Sequence, residues 1–133
     1  MTRPEVVATR RSGFEHGVEM SGFELTVDEP EEDGGTGAGP APTRLLAGSL
    51  ASCTAITMEM YAKRKGWNVA GLRVDCEYTP AERGHPTQFR LVTRMPETLT
   101  DEQIDRLTVI GAKCPVHRTL EGEVMFDERL EIH

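Results

Sequence analysis

The sequence lacks any surplus of positive charge. Fifteen Lys plus Arg stand against 22 Asp plus Glu, a formal net charge of −7. That field repels phosphate backbones and anionic membrane surfaces, so neither nucleic acid nor a membrane is expected as a partner. Lysine itself is scarce. Twelve of the fifteen basic residues are Arg, so a cationic group in a site is expected to be a permanently charged fork. Long apolar runs are missing too. The longest uncharged stretch, Leu45 to Met58, has fourteen residues and includes Ser and Thr, whereas spanning a bilayer takes about 20 apolar residues. The start, Met1-Thr-Arg-Pro-Glu5, has no apolar segment of the secretory kind, and a cytoplasmic location is expected. Only three cysteines occur. Without an export signal they speak against a disulfide scaffold and for reduced thiols.

What is present suits one globular domain over residues 1–133. Hydrophobic residues make up 38% and charged residues 28%, away from the disordered range, and a chain of this length buries roughly two thirds of its unfolded surface. Residues 5–27 read as strands. Val6-Val7-Ala8-Thr9 is rich in β-branched residues, Ser12-Gly13 and Ser21-Gly22 are turn signals, and Val18, Met20, Phe23, Leu25 and Val27 alternate with polar residues. An antiparallel meander with one apolar face is expected. Asp28 to Ala41 holds five acids in its first six positions, then Gly34, Gly35, Gly37, Gly39 and Pro40, which favours a mobile surface loop.

From Thr43 to about Lys65 the spacing predicts a long helix stopped by Gly66, with Lys63, Arg64 and Lys65 in the last turn, where the helix dipole favours cations. Its apolar face is Leu46, Leu50, Cys53, Thr57 and Met60. Leu45, Ser49, Ser52 and Ile56 widen that face, so cover on most sides is expected. Val69 to Tyr78 and about Gln88 to Met95 read as strands joined by a turn at Arg83-Gly84-His85-Pro86. Thr100 and Gln103 form a capping-box pattern, opening a helix whose stripe runs Ile104, Leu107, Ile110, Cys114. Pro115 either kinks this helix or starts a short new one through Leu120. Val124, Phe126, Leu130 and Ile132 alternate as a closing strand. The order gives an α+β fold without internal repeats.

Cys53 and Cys114 are the informative pair, each on the apolar stripe of a different helix. A thiolate beside a second thiol is the minimum equipment for two-electron redox chemistry. The first attacks a peroxide oxygen and becomes a sulfenic acid, and the second condenses with it to a disulfide. A thiol with a pKa of about 8.5 is only a few per cent ionised at neutral pH, so such a site needs a cation or a helix N-terminus beside it. His117 and Arg118, one turn past Cys114, are candidates. The competing reading is simple packing, since free cysteine is among the most buried residue types.

Other features read structurally. Cys76 falls on the inner face of its strand. Gly35-x-Gly37-x-Gly39 lacks the Lys-Ser/Thr of a phosphate loop, and its flanking acids repel anions. Cys114-x-x-His117 has metal-ligand spacing, with Cys53 as a conceivable third ligand. No Cys-x-x-Cys or His-x-His supports it, so no metal is expected. His16, His85 and His133 read as solvated turn or terminal residues, and Glu59 as an ion-pair partner of Lys63 at i+4.

Two blocks resemble the OsmC/Ohr superfamily, in its short OsmC-like branch. The first runs from Asp28-Glu29-Pro30 through Gly39-Pro40-Ala41-Pro42 and Leu45-Leu46-Ala47-Gly48-Ser49-Leu50-Ala51-Ser52-Cys53-Thr54 to Met60-Tyr61-Ala62. The second is Lys113-Cys114-Pro115-Val116-His117-Arg118-Thr119-Leu120. The resemblance covers essentially the whole chain. It implies antiparallel sheets packed around a long central helix in an intertwined homodimer, with sites at the subunit interface. It also implies a peroxidatic Cys53 and a resolving Cys114, an organic hydroperoxide as substrate, and a dithiol, such as a lipoyl group, as reductant. No cofactor is implied.

One departure stands out. Active relatives place a carboxylate nine or ten positions before the first cysteine, where it orients an arginine over the thiolate. Here those positions hold Thr43 and Arg44. The family's arginine comes from the N-terminal strands, where Arg10 and Arg11 are both candidates, and Arg44 is itself a possible source of the cation. The missing carboxylate keeps open an alternative: a non-catalytic or weakly active protein that binds a small apolar or thiol-bearing ligand in the same pocket.

Overall fold

Alternating side chains and two short turns build the start of the chain as a meander. The structure, a computed structural model, describes residues 4–133, and the chain divides into two units, residues up to 48 and residues 49–133. In the first unit β1 (Val6–Ser12), β2 (Glu15–Met20) and β3 (Phe23–Val27) pair antiparallel in that order. Ser21 and Gly22 both take positive φ, 50° and 83°, the requirement of a primed two-residue hairpin turn, and Met20 and Phe23 close it. Register then sets the faces. Arg10 lies across from His16 and His16 from Val27, while Ala8, Val18 and Leu25 form the next row. The expected apolar set does share one face. Only its Val27 end is buried, however, and Phe23 is 72% exposed.

Residues 28–41 differ from the loose loop that their composition favours. Asp28 is buried, and its carboxylate accepts hydrogen bonds from the N–H groups of Glu29 (2.7 Å), Thr36 (3.2 Å) and Ala38 (3.1 Å) and from the Thr36 hydroxyl (2.7 Å). The Asp28 N–H donates to the Pro40 carbonyl at 3.2 Å, and Glu31–Asp33 form a 3-10 turn. Gly35 and Gly39 approach the carbonyls of Glu29 and Thr26 so closely that a Cβ would not fit. These glycines serve close approach rather than mobility. The Thr36 hydroxyl chiefly, with the three N–H groups, holds the Asp28 carboxyl down at about 2 against the opposing effect of burial.

Helix α1 (Pro42–Lys65) opens with proline at its first position, where no N–H is needed. It ends in a Schellman motif. The Gly66 N–H donates to the Lys63 carbonyl (3.2 Å) and the Trp67 N–H to the Ala62 carbonyl (2.9 Å), and Trp67 meets Tyr61 edge-on. The buried positions are Ala47, Leu50, Thr54, Met58 and Ala62. This corrects the expected face through Leu46, Cys53, Thr57 and Met60, and also the expected cover on most sides, because Ile56 and Met60 are more than half exposed. The helix is apolar or small almost all round, so its periodicity selects no face and its neighbour does. The expected Glu59–Lys63 ion pair is not among those formed by the described residues.

The rest of the second unit holds the β4 (Arg73–Thr79) and β5 (Gln88–Arg94) hairpin and helices α2 (Asp101–Gly111) and α3 (Pro115–Glu121). Thr100 and Gln103 form the full reciprocal capping box, and Leu99 and Ile104 occupy the positions of a hydrophobic staple. Met58, Ala62, Val69, Leu99 and Leu107 make the core, with Tyr61, Trp67, Leu72, Met95 and Ile104 against it. Arg106 Nε donates to Tyr61 Oη at 3.0 Å, tying α2 to the end of α1. The closing strand expected through Val124 and Ile132 is not formed. Residues 122–133 carry no regular structure, and Phe126, Leu130 and Ile132 are 79–92% exposed. A strand needs a backbone partner as well as alternation. Among the described residues no helix is long and apolar enough to cross a membrane.

Candidate active site

Cys114 settles the choice at Pro115. It is the N-cap of α3, with Pro115 at the first helical position, so α2 ends and a new helix begins rather than kinks. An N-cap side chain accepts a hydrogen bond from the start of the helix, a role usually filled by Ser, Thr, Asp or Asn. Here sulfur fills it. Cys114 Sγ accepts from the His117 N–H at 3.3 Å. The thiol is 0% exposed, and it has a second partner, Thr54 Oγ1, at 3.8 Å.

Thr54 follows Cys53 in α1, their Cα atoms about 3.8 Å apart by chain geometry. This corrects the expected stripe: Ile104, Leu107 and Ile110 lie on α2, but Cys114 lies past its end, where it meets the α1 residue beside Cys53, itself half-buried. None of the three cysteines is in a disulfide. Gly111 makes this approach possible. A Cβ there would run into the Met58 side chain and lie 3.3 Å from Thr54 Cγ2. Neither Thr54 nor Gly111 emerges from the sequence reading. The signal for both was position: Thr54 beside a motif cysteine, and Gly111 where the α2 stripe reaches its last turn.

The meander separates the two N-terminal arginines. Arg11 crosses over Gly17 on the polar face, where its guanidinium bonds Glu24 (2.7 Å), Thr26 (2.8 Å) and Glu15 (3.2 Å). Arg10 lies across from His16 on the apolar face, and its Nε donates to the Gly13 carbonyl at 3.3 Å. Arg11 is thus engaged by two carboxylates, and Arg10 by none among the described residues. Thr43 and Arg44 are exposed in the first turn of α1, and Arg118 is exposed on α3. His117 Nδ1 is buried and 3.0 Å from Glu121 Oε1, near enough for an ion pair when protonated but out of line for a hydrogen bond.

Cys76 is half-buried in β4. Burial, and then the neighbouring Glu77, push its thiol up, away from reactivity. His16 corrects the reading of a solvated residue. It is half-buried in β2, with Nδ1 2.9 Å from the Phe14 carbonyl, and it lines an apolar cavity of about 560 Å³ with Phe14, Val18, Val27, Pro42 and Leu45.

The fold matches a Psychrobacter arcticus protein described as an osmotic stress induced and detoxification response protein, with a TM-score of 0.79 and 21% identity, covering 90% of this chain and 89% of that one. It also matches an OsmC-like protein of Mycoplasma pneumoniae (0.73; 20%; 91% and 89%) and the organic hydroperoxide resistance protein OhrB of Bacillus subtilis (0.60; 18%; 88% and 90%). At these identities the likeness is one of fold. No curated protein sequence matches the chain. The family model described as OsmC-like protein matches residues 33–129, from the glycine loop through both cysteine motifs, and the chain belongs to the OsmC-like family.

Proposed function

We propose that this chain is a cysteine-based reductase of organic hydroperoxides serving oxidative-stress defence, with Cys53 peroxidatic and Cys114 resolving. Family membership supports the reading. The observation that carries it is the Cys114 sulfur, wholly buried yet held as a hydrogen-bond acceptor beside Thr54, the neighbour of Cys53. The Cys53 thiolate attacks the hydroperoxide, an S–O bond forms as the O–O bond breaks, and the alcohol leaves with a proton. Cys114 then attacks the sulfenic sulfur; the S–S bond forms, the S–O bond breaks, and water leaves. An external dithiol, such as a lipoyl group, restores both thiols. Arg10 is the favoured activating cation, because Arg11 is engaged by Glu15 and Glu24; Arg44, His117 and Arg118 are the further candidates.

The working unit is proposed as one domain over 1–133, cytoplasmic, in an intertwined homodimer. The exposed Phe126, Leu130 and Ile132 support a second copy as the partner that pairs this segment. Light scattering should give twice the chain mass, and deletion of residues 122–133 should halve it. The activity is tested by adding one equivalent of cumene hydroperoxide to reduced protein and mapping disulfides by mass spectrometry. A Cys53–Cys114 bridge, with sulfenic acid trapped at Cys53 in Cys114→Ser, is the expected result. Unreactive thiols would transfer the case to a ligand-binding protein. That second reading is favoured by Thr43 and Arg44 at the family's carboxylate positions and by the apolar cavity against the meander.

A further inference from the structure

The proposed cycle needs Cys114 to act as a nucleophile from a site with no exposure to water, where a thiol ordinarily behaves as an inert small hydrophobe. Two polar groups reach its sulfur: the His117 N–H at 3.3 Å and the Thr54 hydroxyl at 3.8 Å. The first is a fixed donor. The second is a rotor that either donates to sulfur or accepts from S–H. Thr54 is itself only 6% exposed and sits in the interior of a helix. Threonine hydroxyls in that setting commonly bond the carbonyl one turn back, as Thr108 does to Ile104 and Thr119 to Pro115. Thr54 instead turns its hydroxyl to Cys114.

We propose that Thr54 is a positioning residue for the resolving step. Its hydroxyl donates to the Cys114 sulfur as the proton leaves, and fixes that sulfur on the α1 surface next to Cys53. The step balances without a further reagent. The sulfenic acid at Cys53 is the oxidant, the Cys114 sulfur supplies the electron pair of the S–S bond, and the departing hydroxide takes up the Cys114 proton as water. In the thiol, either atom can be the donor. Once the proton has gone, only Thr54 can donate, so the interaction strengthens along the reaction. Gly111 serves the same geometry by letting Thr54 and Met58 come within contact of α2.

This inference rests on the proposed peroxidatic cycle, and its test separates the two. Disulfide formation between Cys53 and Cys114 is timed in the full chain, Thr54→Val and Thr54→Ser, once with cumene hydroperoxide and once with diamide, which joins thiols without a sulfenic acid. Valine keeps the shape and loses the hydroxyl; serine restores it. Thr54→Val is expected to slow bridge formation about tenfold with either oxidant, Thr54→Ser to recover most of the rate, and sulfenic acid trapping at Cys53 in the Cys114→Ser background to be unchanged by Thr54→Val. Equal rates in the valine and parent proteins, or no rescue by serine, would overturn the role of Thr54. So would failure of diamide to bridge the two cysteines in the parent. A bridge formed with diamide but not with hydroperoxide would instead sink the peroxidase reading, and leave the valine–serine comparison to decide for Thr54.

Discussion

The two units of the chain are held by opposite means. The first has a meander whose apolar face is largely uncovered, and its most ordered feature is polar: one carboxylate, Asp28, gathering four donors from a ten-residue stretch of loop. The second is organised by aliphatic burial around Leu107 and Met58, and it also holds the wholly buried Cys114 sulfur with two polar partners. Acids and glycines can therefore order a loop, provided the backbone donors converge. A cysteine buried in a core can in turn still serve as an acceptor.

Perturbations aimed at one unit should sharpen this contrast. Leu107 is 0% exposed at the centre of the second core, so Leu107→Ala should cost about 2–5 kcal/mol of stability through lost transfer energy and a residual cavity. Denaturant unfolding measures the loss, and a change well below 1 kcal/mol would mean that the core lies elsewhere. Gly111→Ala adds a methyl against Met58 and Thr54, and overpacking of this kind costs about 1–3 kcal/mol. The same substitution should slow the Cys53–Cys114 bridge by shifting α2, which mass spectrometry at short oxidation times would detect. Thr100→Ala removes one half of a capping box and should cost about 1 kcal/mol, read as a lower thermal midpoint with Cys114 chemistry unchanged.

The most local effect is in the first unit. The folded Asp28 carboxyl lies at about 2, below its ordinary 3.8. Its stabilisation is therefore complete above about pH 4 and is lost as pH falls toward 2. Amide exchange at Glu29, Thr36 and Ala38 should rise through that window, while amides around Leu107 keep their protection. Asp28→Asn should flatten the pH profile. Uniform exchange across both units would erase the distinction between them.

Much of the local structure was legible from sequence because its causes are local. Ser21-Gly22 specifies a two-residue turn by backbone sterics, Thr100-x-x-Gln103 specifies a helix start by reciprocal hydrogen bonds, and Gly66 after three cations specifies a helix end. The α2 stripe Ile104, Leu107 and Ile110 was legible too, but its extension to Cys114 was not, because the helix ends at Gly111 and Cys114 caps the next one. The face of α1 was not. Its apolar and small residues surround the axis, and the close approach that Gly111 allows turned burial from Cys53 and Thr57 onto Thr54 and Met58. Asp28 was hidden for a different reason: a run of acids looks solvated, and only the folded loop shows which one the N–H groups choose. The alternation at Val124 to Ile132 described a strand that this chain alone does not pair.

The sequence by itself determined the helices and the first five strands, because periodicity, capping and turn chemistry act within a few residues, while the family came from the resemblance of its two cysteine motifs. Tertiary structure decided which arginine is engaged by carboxylates, which acid orders the loop, and that Thr54 meets the Cys114 sulfur, because each depends on groups brought together from separate parts of the chain.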